Sequence, residues 1–161
     1  MAKGKRLTST VSSQGTVRLN IEEFDVPSPG PDEVLLAVEA SPINPSDLGL
    51  LLAGADASTA SQSDNGLVLS LPDGAVAALT GRIDRAMPVG NEGAGVVIDA
   101  GNEKEAQALQ GQVVAVFAGG MYATHRIVKA RDCLVLEEGT NPVDAASCFV
   151  NPLTALGMTE T

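Results

Sequence analysis

Between residues 7 and 39 the chain alternates in a way that predicts β structure. Val17, Leu19 and Ile21 alternate with Arg18 and Asn20, the period-two pattern of a half-buried strand. Pro27-Ser28-Pro29-Gly30-Pro31-Asp32 can neither continue a strand nor start a long helix, so it predicts a turn. Val34 to Ala40 is mostly apolar and predicts the next strand. Further strands are predicted at Leu67–Leu71, at Val96-Val97-Ile98 after a glycine-rich approach from Met87, and at Val113–Phe117, Tyr122–Val128 and Cys133–Leu136. Gly119-Gly120 predicts a turn.

Helix signals are short and lie between the strands. Asn44 is suited to an N-cap, Pro45 to the first helical position and Asp47 to the first turn, with Leu48 to Leu52 continuing until Gly54. Asp73 is placed to cap a short helix over Ala75–Leu79, stopped by Gly81, and Glu103 to Leu109 predicts one or two helical turns. Asn141-Pro142 starts another helix, with Asp144 in its first turn. Asn151-Pro152 is expected to break that helix and cap the next, which runs from Leu153 toward Thr161 without a C-cap glycine. That pattern is expected of an excised piece. Residues 55–66 are small and polar, and they predict a mobile loop. Many short strands between glycine and proline turns predict a mainly-β barrel or sandwich rather than a doubly wound sheet.

Composition narrows this picture. The 161 residues suit one domain, and with 2% aromatic residues the core must come from Val, Leu, Ile and Ala. A formal net charge of −10 argues against nucleic acid and against anionic membrane surfaces as partners. Lys3, Lys5 and Arg6 form a small basic cluster, expected to be a frayed, solvated end. No apolar stretch reaches the ~20 residues of a membrane span, and no apolar segment follows the basic start as a secretory signal requires. A cytoplasmic location is expected. Cys133 and Cys148 form no CxxC pair and are expected as two buried free thiols in a reducing compartment.

Chemistry-bearing motifs are few. Gly90-Asn91-Glu92-Gly93-Ala94-Gly95 has the spacing GxxGxG and runs into β-branched residues. A dinucleotide loop needs GxGxxG opening a helix, so these glycines predict close backbone packing or a bulge instead. His125, Cys133 and Cys148 lack zinc-ligand spacing, so no metal is expected. His125 lies in a strand pattern with no GxSxG elbow nearby and predicts a half-exposed strand residue. Glu22-Glu23 and Glu137-Glu138 are adjacent pairs whose members point apart, as solvated carboxylates do. Asn44, Ser46 and Asp47 gather polar groups at a helix start; capping accounts for them, and a functional role stands beside it.

Taken in order, several motifs resemble the N-terminal, GroES-like domain of the medium-chain dehydrogenases/reductases, in the zinc-free branch of quinone oxidoreductases and enoyl reductases. They are Ser41-Pro42-Ile43-Asn44-Pro45-Ser46-Asp47, Pro88-Val89-Gly90-Asn91-Glu92-Gly93-Ala94-Gly95-Val96-Val97, Gly111-Gln112-Val113-Val114-Ala115-Val116, Gly120-Met121-Tyr122-Ala123, and Ala145-Ala146 with Asn151-Pro152-Leu153-Thr154-Ala155. The resemblance implies a partly open β-barrel with a few short helices over residues 1–150. Residues 151–161 would start the helix that connects to a nucleotide-binding Rossmann domain not included in this chain.

The resemblance further implies NADPH or NADH as cofactor of the intact enzyme, none bound to this piece alone, and hydride transfer without zinc. The substrate implied is a quinone or an α,β-unsaturated carbonyl, and a homodimer is one assembly open to the intact enzyme. Asn44 and Thr154 would approach the cofactor, with Ser46, Asp47 and Asn91 as substrate-cleft candidates; no catalytic residue is assigned. Pro42-Ile43-Asn44 and Asn91 stand where zinc-dependent relatives place a cysteine and a histidine ligand. Leu50-Leu51-Leu52 stands where some enoyl reductases carry a proton-donating tyrosine. The stretch 54–87 is longer than usual in the family and is expected to cap the substrate pocket. The alternative is a non-enzymatic GroES-like interaction module, with the polar segment 55–66 as its mobile contact loop.

Overall fold

The computed structural model describes residues 2–160. In chain order its elements are β1 (Lys3–Val11), β2 (Thr16–Asp25), β3 (Glu33–Ala40), α1 (Pro45–Leu52), β4 (Asp56–Ser63) and β5 (Gly66–Ser70). After a 3-10 helical stretch over Ala75–Arg82 come β6 (Met87–Pro88), β7 (Glu92–Ala100), α2 (Lys104–Gln107), β8 (Val113–Phe117) and β9 (His125–Lys129). A second 3-10 turn over Ala130–Asp132 leads to β10 (Cys133–Val135), α3 (Pro142–Ala145) and α4 (Val150–Thr159). One antiparallel sheet has the order β4-β5-β2-β1-β6 and the other the order β10-β8-β7-β3-β9. They meet where β1 crosses the segment before β9: Leu7 N donates to Tyr122 O and Thr124 N to Lys5 O, each at 2.8 Å. The result is the mainly-β, curled half-barrel that the strand pattern predicts.

Three apolar clusters hold these layers. Val34, Leu36, Val97, Val114, Val116 and Met121 fill the second sheet's inner face, while Val11, Val17, Leu19, Leu69 and Leu71 fill the first. Alanines form the third, Ala94 and Ala115 meeting Ala145 and Ala146, so that α3 lies close against β7 and β8. Small side chains set this short approach. Isoleucine, expected in the core, contributes little: Ile21 and Ile98 are exposed.

Two local expectations fail. The basic start is no frayed end but strand β1, in a register that sets Lys3 opposite Asp25, Lys5 opposite Glu23 and Arg6 opposite Glu22. Opposite charges directly across a ladder favour that register, and Lys3 reaches Asp25 at 2.7 Å. Segment 55–66 is no mobile loop but the β4–β5 hairpin. Its polar side chains bury little, yet β5 is templated on β2 and inserts Leu69 into the core. The Thr59 hydroxyl also accepts from Ser70 N at 2.8 Å.

The two cysteines are free and half-buried rather than fully buried. Burial, with Asp132 adding to it, pushes the Cys133 thiol up to about 11. Burial, then the Glu92 charge, raises that of Cys148. The thiolate is the reacting species. Both thiols are therefore expected to react with a disulfide reagent at pH 8 about 10- to 100-fold more slowly in the native chain than in urea. A raised native pKa means that this contribution to stability is complete below about pH 8.5 and declines as pH climbs toward 11. Among the described residues no helix is long and apolar enough to cross a membrane.

Candidate functional site

The turn from β3 into α1 is built as its sequence predicts. Asn44 is the extended N-cap (φ −89°, ψ 153°), Pro45 opens the helix and Asp47 sits in the first turn. Asp47 is buried, and its carboxylate has two tasks. Oδ2 accepts from Asn44 N at 2.8 Å, and Oδ1 accepts from Asn91 N at 2.9 Å, in the loop before β7. One side chain thus ties the start of α1 to the neighbouring strand. The other end of α1 is held by the first sheet and the 3-10 stretch: Leu51 O accepts from Ser9 Oγ at 2.7 Å and Leu50 O from Arg82 Nη2 at 2.6 Å. Together these satisfy carbonyls that a helix end leaves unpaired.

Behind Asn44 lies Glu92, the first residue of β7, with no exposed surface. Its Oε1 accepts from Asn44 Nδ2 at 2.9 Å. Its Oε2 accepts from Phe149 N at 2.9 Å and Val150 N at 3.0 Å. Those are the first N–H groups of α4, where a helix dipole favours a negative charge. A carboxylate from a distant strand therefore caps this helix. Asn151-Pro152 does not: α4 starts at Val150, which puts both residues within the first turn, where a proline's missing N–H removes no helical bond.

Glu92 joins the two candidate cofactor residues through bonded neighbours. Asn44 holds Glu92, Glu92 holds Val150 N, and Thr154 Oγ1 donates to Val150 O at 2.6 Å. Thr154 itself is exposed on α4. Ser46 is also exposed, and its hydroxyl accepts from Asn91 Nδ2 at 3.0 Å. The structure thus brings Asn44, Ser46, Asp47 and Asn91 to one corner, with Asn44 and Asp47 facing inward and Ser46 facing out. For a nicotinamide the fit is of one kind. The Asn44 amide donor is committed to Glu92, so the groups that can meet a ligand at the surface are Thr154, Ser46 and Asn91.

Two residues at this corner were not singled out from the sequence. Glu92 could have been flagged as a lone acid opening a run of glycine, alanine and valine, since a charge there must be buried and paired. Tyr122, the sole tyrosine, packs its ring on Gly90. A Cβ at Gly90, whose φ is +92°, would lie 2.5 Å from the Tyr122 ring, which gives this glycine its close-packing role. The phenol donates to Pro42 O at 3.0 Å. Burial, then the Asp47 carboxylate beside it, hold it above the ordinary range of a phenol, so it stays a neutral donor at physiological pH. His125 is a half-exposed residue of β9, as expected. Among the described residues no three His, Cys, Asp or Glu side chains gather as metal ligands.

Asn44→Ala removes one buried donor from Glu92. It is expected to lower unfolding free energy by about 1–3 kcal/mol, measured by urea denaturation. An unchanged midpoint would mean that the Asn44–Glu92 bond contributes nothing net.

No protein-family model matches the chain, and no curated protein does. Solved structures do. A Mesorhizobium loti protein assigned as an NADPH:quinone reductase aligns over 99% of this chain and 44% of its own, at 24% identity and a TM-score of 0.66. A mutant form of the enoyl thioester reductase of Candida tropicalis aligns over 98% of this chain and 43% of its own, at 24% identity and 0.63. The quinone oxidoreductase of Pseudomonas syringae aligns over 96% and 40%, at 18% identity and 0.62. The chain thus spans about two-fifths of the length of the structures it matches. Identities this low speak to architecture alone: the chain shares the mainly-β fold of the aligned portions of these reductase structures.

Proposed function

We propose that this chain is the catalytic domain of an NAD(P)H-dependent oxidoreductase that works without zinc and reduces a quinone or an α,β-unsaturated carbonyl. Residues 1–150 form that domain. Residues 151–161 would start the connection to a nucleotide-binding domain, α4 itself running from Val150 to Thr159. The observation that carries the reading is the buried Asn44–Glu92–α4 connection. It ties the start of α4 to the α1 corner, and the reading takes Thr154, Ser46 and Asn91 as the groups that would face the cofactor and substrate. The similarity to quinone and enoyl reductases adds support for the reaction class.

When bound, the nicotinamide supplies the hydride; the protein's part is position and field. Thr154 and the exposed Ser46–Asn91 pair would hold its amide end and the substrate. Asn44 acts from behind as a positioning residue, and Asp47 keeps the Asn91 backbone in place. The β4–β5 hairpin is the segment that would cap the substrate pocket. The interaction-module alternative invokes a mobile contact loop at 55–66, and that segment is paired with β5.

The test is NADPH and NADH oxidation by the full-length protein, with quinones and enones as acceptors. Turnover with one of these acceptor classes is expected, slowed by Asn44→Ala. No oxidation of either cofactor with any of them would overturn the reading. The 161-residue chain alone is expected to show no saturable cofactor binding at about 1 mM, because the helix N-terminus that grips a pyrophosphate belongs to the other domain.

A further inference from the structure

Where the two sheets meet, on the side of Pro88 and Gly120, lies a cavity of about 310 Å³. It shares no lining residue with the Asn44–Glu92 corner. Arg126 from β9 and Arg6 from β1 both line it, with Phe24, Leu35 and Ile127 as apolar walls. Arg6 is partly engaged: its guanidinium stands 3.3–3.4 Å from Glu22 Oε2 and lies over the Phe24 ring at 5.5 Å. Arg126 is not. Its Nε–H is buried without a hydrogen-bond partner, and among the described residues no carboxylate pairs with its guanidinium. The lining carboxylate, Asp25, is held by Lys3 at 2.7 Å. Gly120 borders the guanidinium: a Cβ there would be in van der Waals contact with Arg126 Cζ, at 3.4 Å.

This arrangement has no structural rationale in the chain alone. A half-buried guanidinium without a partner is costly, and a second guanidinium nearby adds repulsion. Both effects, burial first and then Arg6, pull the Arg126 pKa down from its ordinary value. The chain carries a net charge of −10, yet among the described residues the one carboxylate lining the cavity, Asp25, is paired with Lys3 and none pairs with Arg126. An anion entering the cavity would relieve both costs, and a guanidinium's planar fork matches the oxygens of a phosphoryl group. The cavity is several times larger than a bare phosphate and has aromatic and aliphatic walls. We infer that it binds a small organic phosphate, with the phosphoryl group on Arg126 and Arg6 and the organic body against Phe24, Leu35 and Ile127.

Phenyl phosphate and inorganic phosphate are the probes, titrated into the 161-residue chain without any nicotinamide cofactor. The readouts are calorimetry and the Nε–Hε NMR signal of Arg126. Phenyl phosphate is expected to saturate, to move the Arg126 signal, and to bind at least about tenfold more tightly than inorganic phosphate, because only it uses the apolar walls. Arg126→Gln is expected to weaken phenyl phosphate at least about tenfold while folding as stably as the parent, since it removes an unpaired buried charge. Equal affinity for the two probes would overturn the organic-phosphate assignment. An unmoved Arg126 signal at saturation, or no saturable binding of either probe, would overturn the site. The NMR readout uses the unsubstituted chain, so the test stands even if the variant folds poorly. Cofactor oxidation plays no part in it, so this site and the proposed activity fail or survive separately.

Discussion

Glu92→Leu is expected to destabilise the chain by about 3–5 kcal/mol, the largest effect of any single substitution at the candidate site. The carboxylate serves three donors at once: Asn44 Nδ2, Phe149 N and Val150 N. Leucine fills a similar volume but accepts from none of them. Each donor would then lose its partner, and the start of α4 would lose the negative charge that its dipole favours. Glu92→Gln separates packing from charge. Its oxygen can still serve the backbone pair, and its amide can donate to Asn44 once that side chain flips, so about half the loss is expected. Urea denaturation of the two variants and of Asn44→Ala gives the ordering, and the Asn44/Glu92 double-mutant cycle gives the coupling. If Glu92→Leu unfolds at the parental urea concentration, the cap is energetically idle and the proposed positioning of Thr154 falls with it.

Gly95→Ala is expected to cost about 3 kcal/mol or more, roughly 10 °C in melting temperature. Gly95 lies mid-way along β7, opposite Val38 of β3 on one side and Val114 of β8 on the other. A Cβ there would overlap the Ala37 carbonyl oxygen. The obstacle is backbone, which cannot swing aside like a side chain, so β3 and β7 would have to part at the centre of the sheet. Gly49 provides the control. It lies within α1, and a methyl group added to its Cα would meet nothing within 4 Å. Gly49→Ala is therefore expected to stabilise by about 0.5–1 kcal/mol through helix propensity. Equal melting temperatures for the two variants would contradict the close strand approach.

Much of the architecture was legible because local rules governed it. Val113–Phe117 is the strand its apolar run predicts. Asn44-Pro45 and Asn141-Pro142 start helices as capping chemistry requires, Asn141 Oδ1 accepting from Val143 N at 2.9 Å. The glycines at 90–95 lead into a strand, as the β-branched residues after them imply. Local rules misled where a distant partner intervened. The polar segment 55–66 is weak as a strand alone and became one beside β5. Lys3, Lys5 and Arg6 met the acidic end of β2. Asn151-Pro152 has the form of a cap, yet the cap came from Glu92, far away in sequence.

The sequence by itself determined most of the central strands, the α1 corner with Asn44 and Asp47, and the absence of zinc-ligand spacing. These depend on backbone preferences and side chains within a few residues of one another, which a linear chain displays. Tertiary structure alone decided which groups at that corner face inward, that Glu92 links Asn44 to α4, and that Arg126 is left half-buried without a partner. Each of those facts depends on which strands become neighbours, and it is the closure of the two sheets, driven by their apolar faces, that settles the burial and pairing of every charge between them.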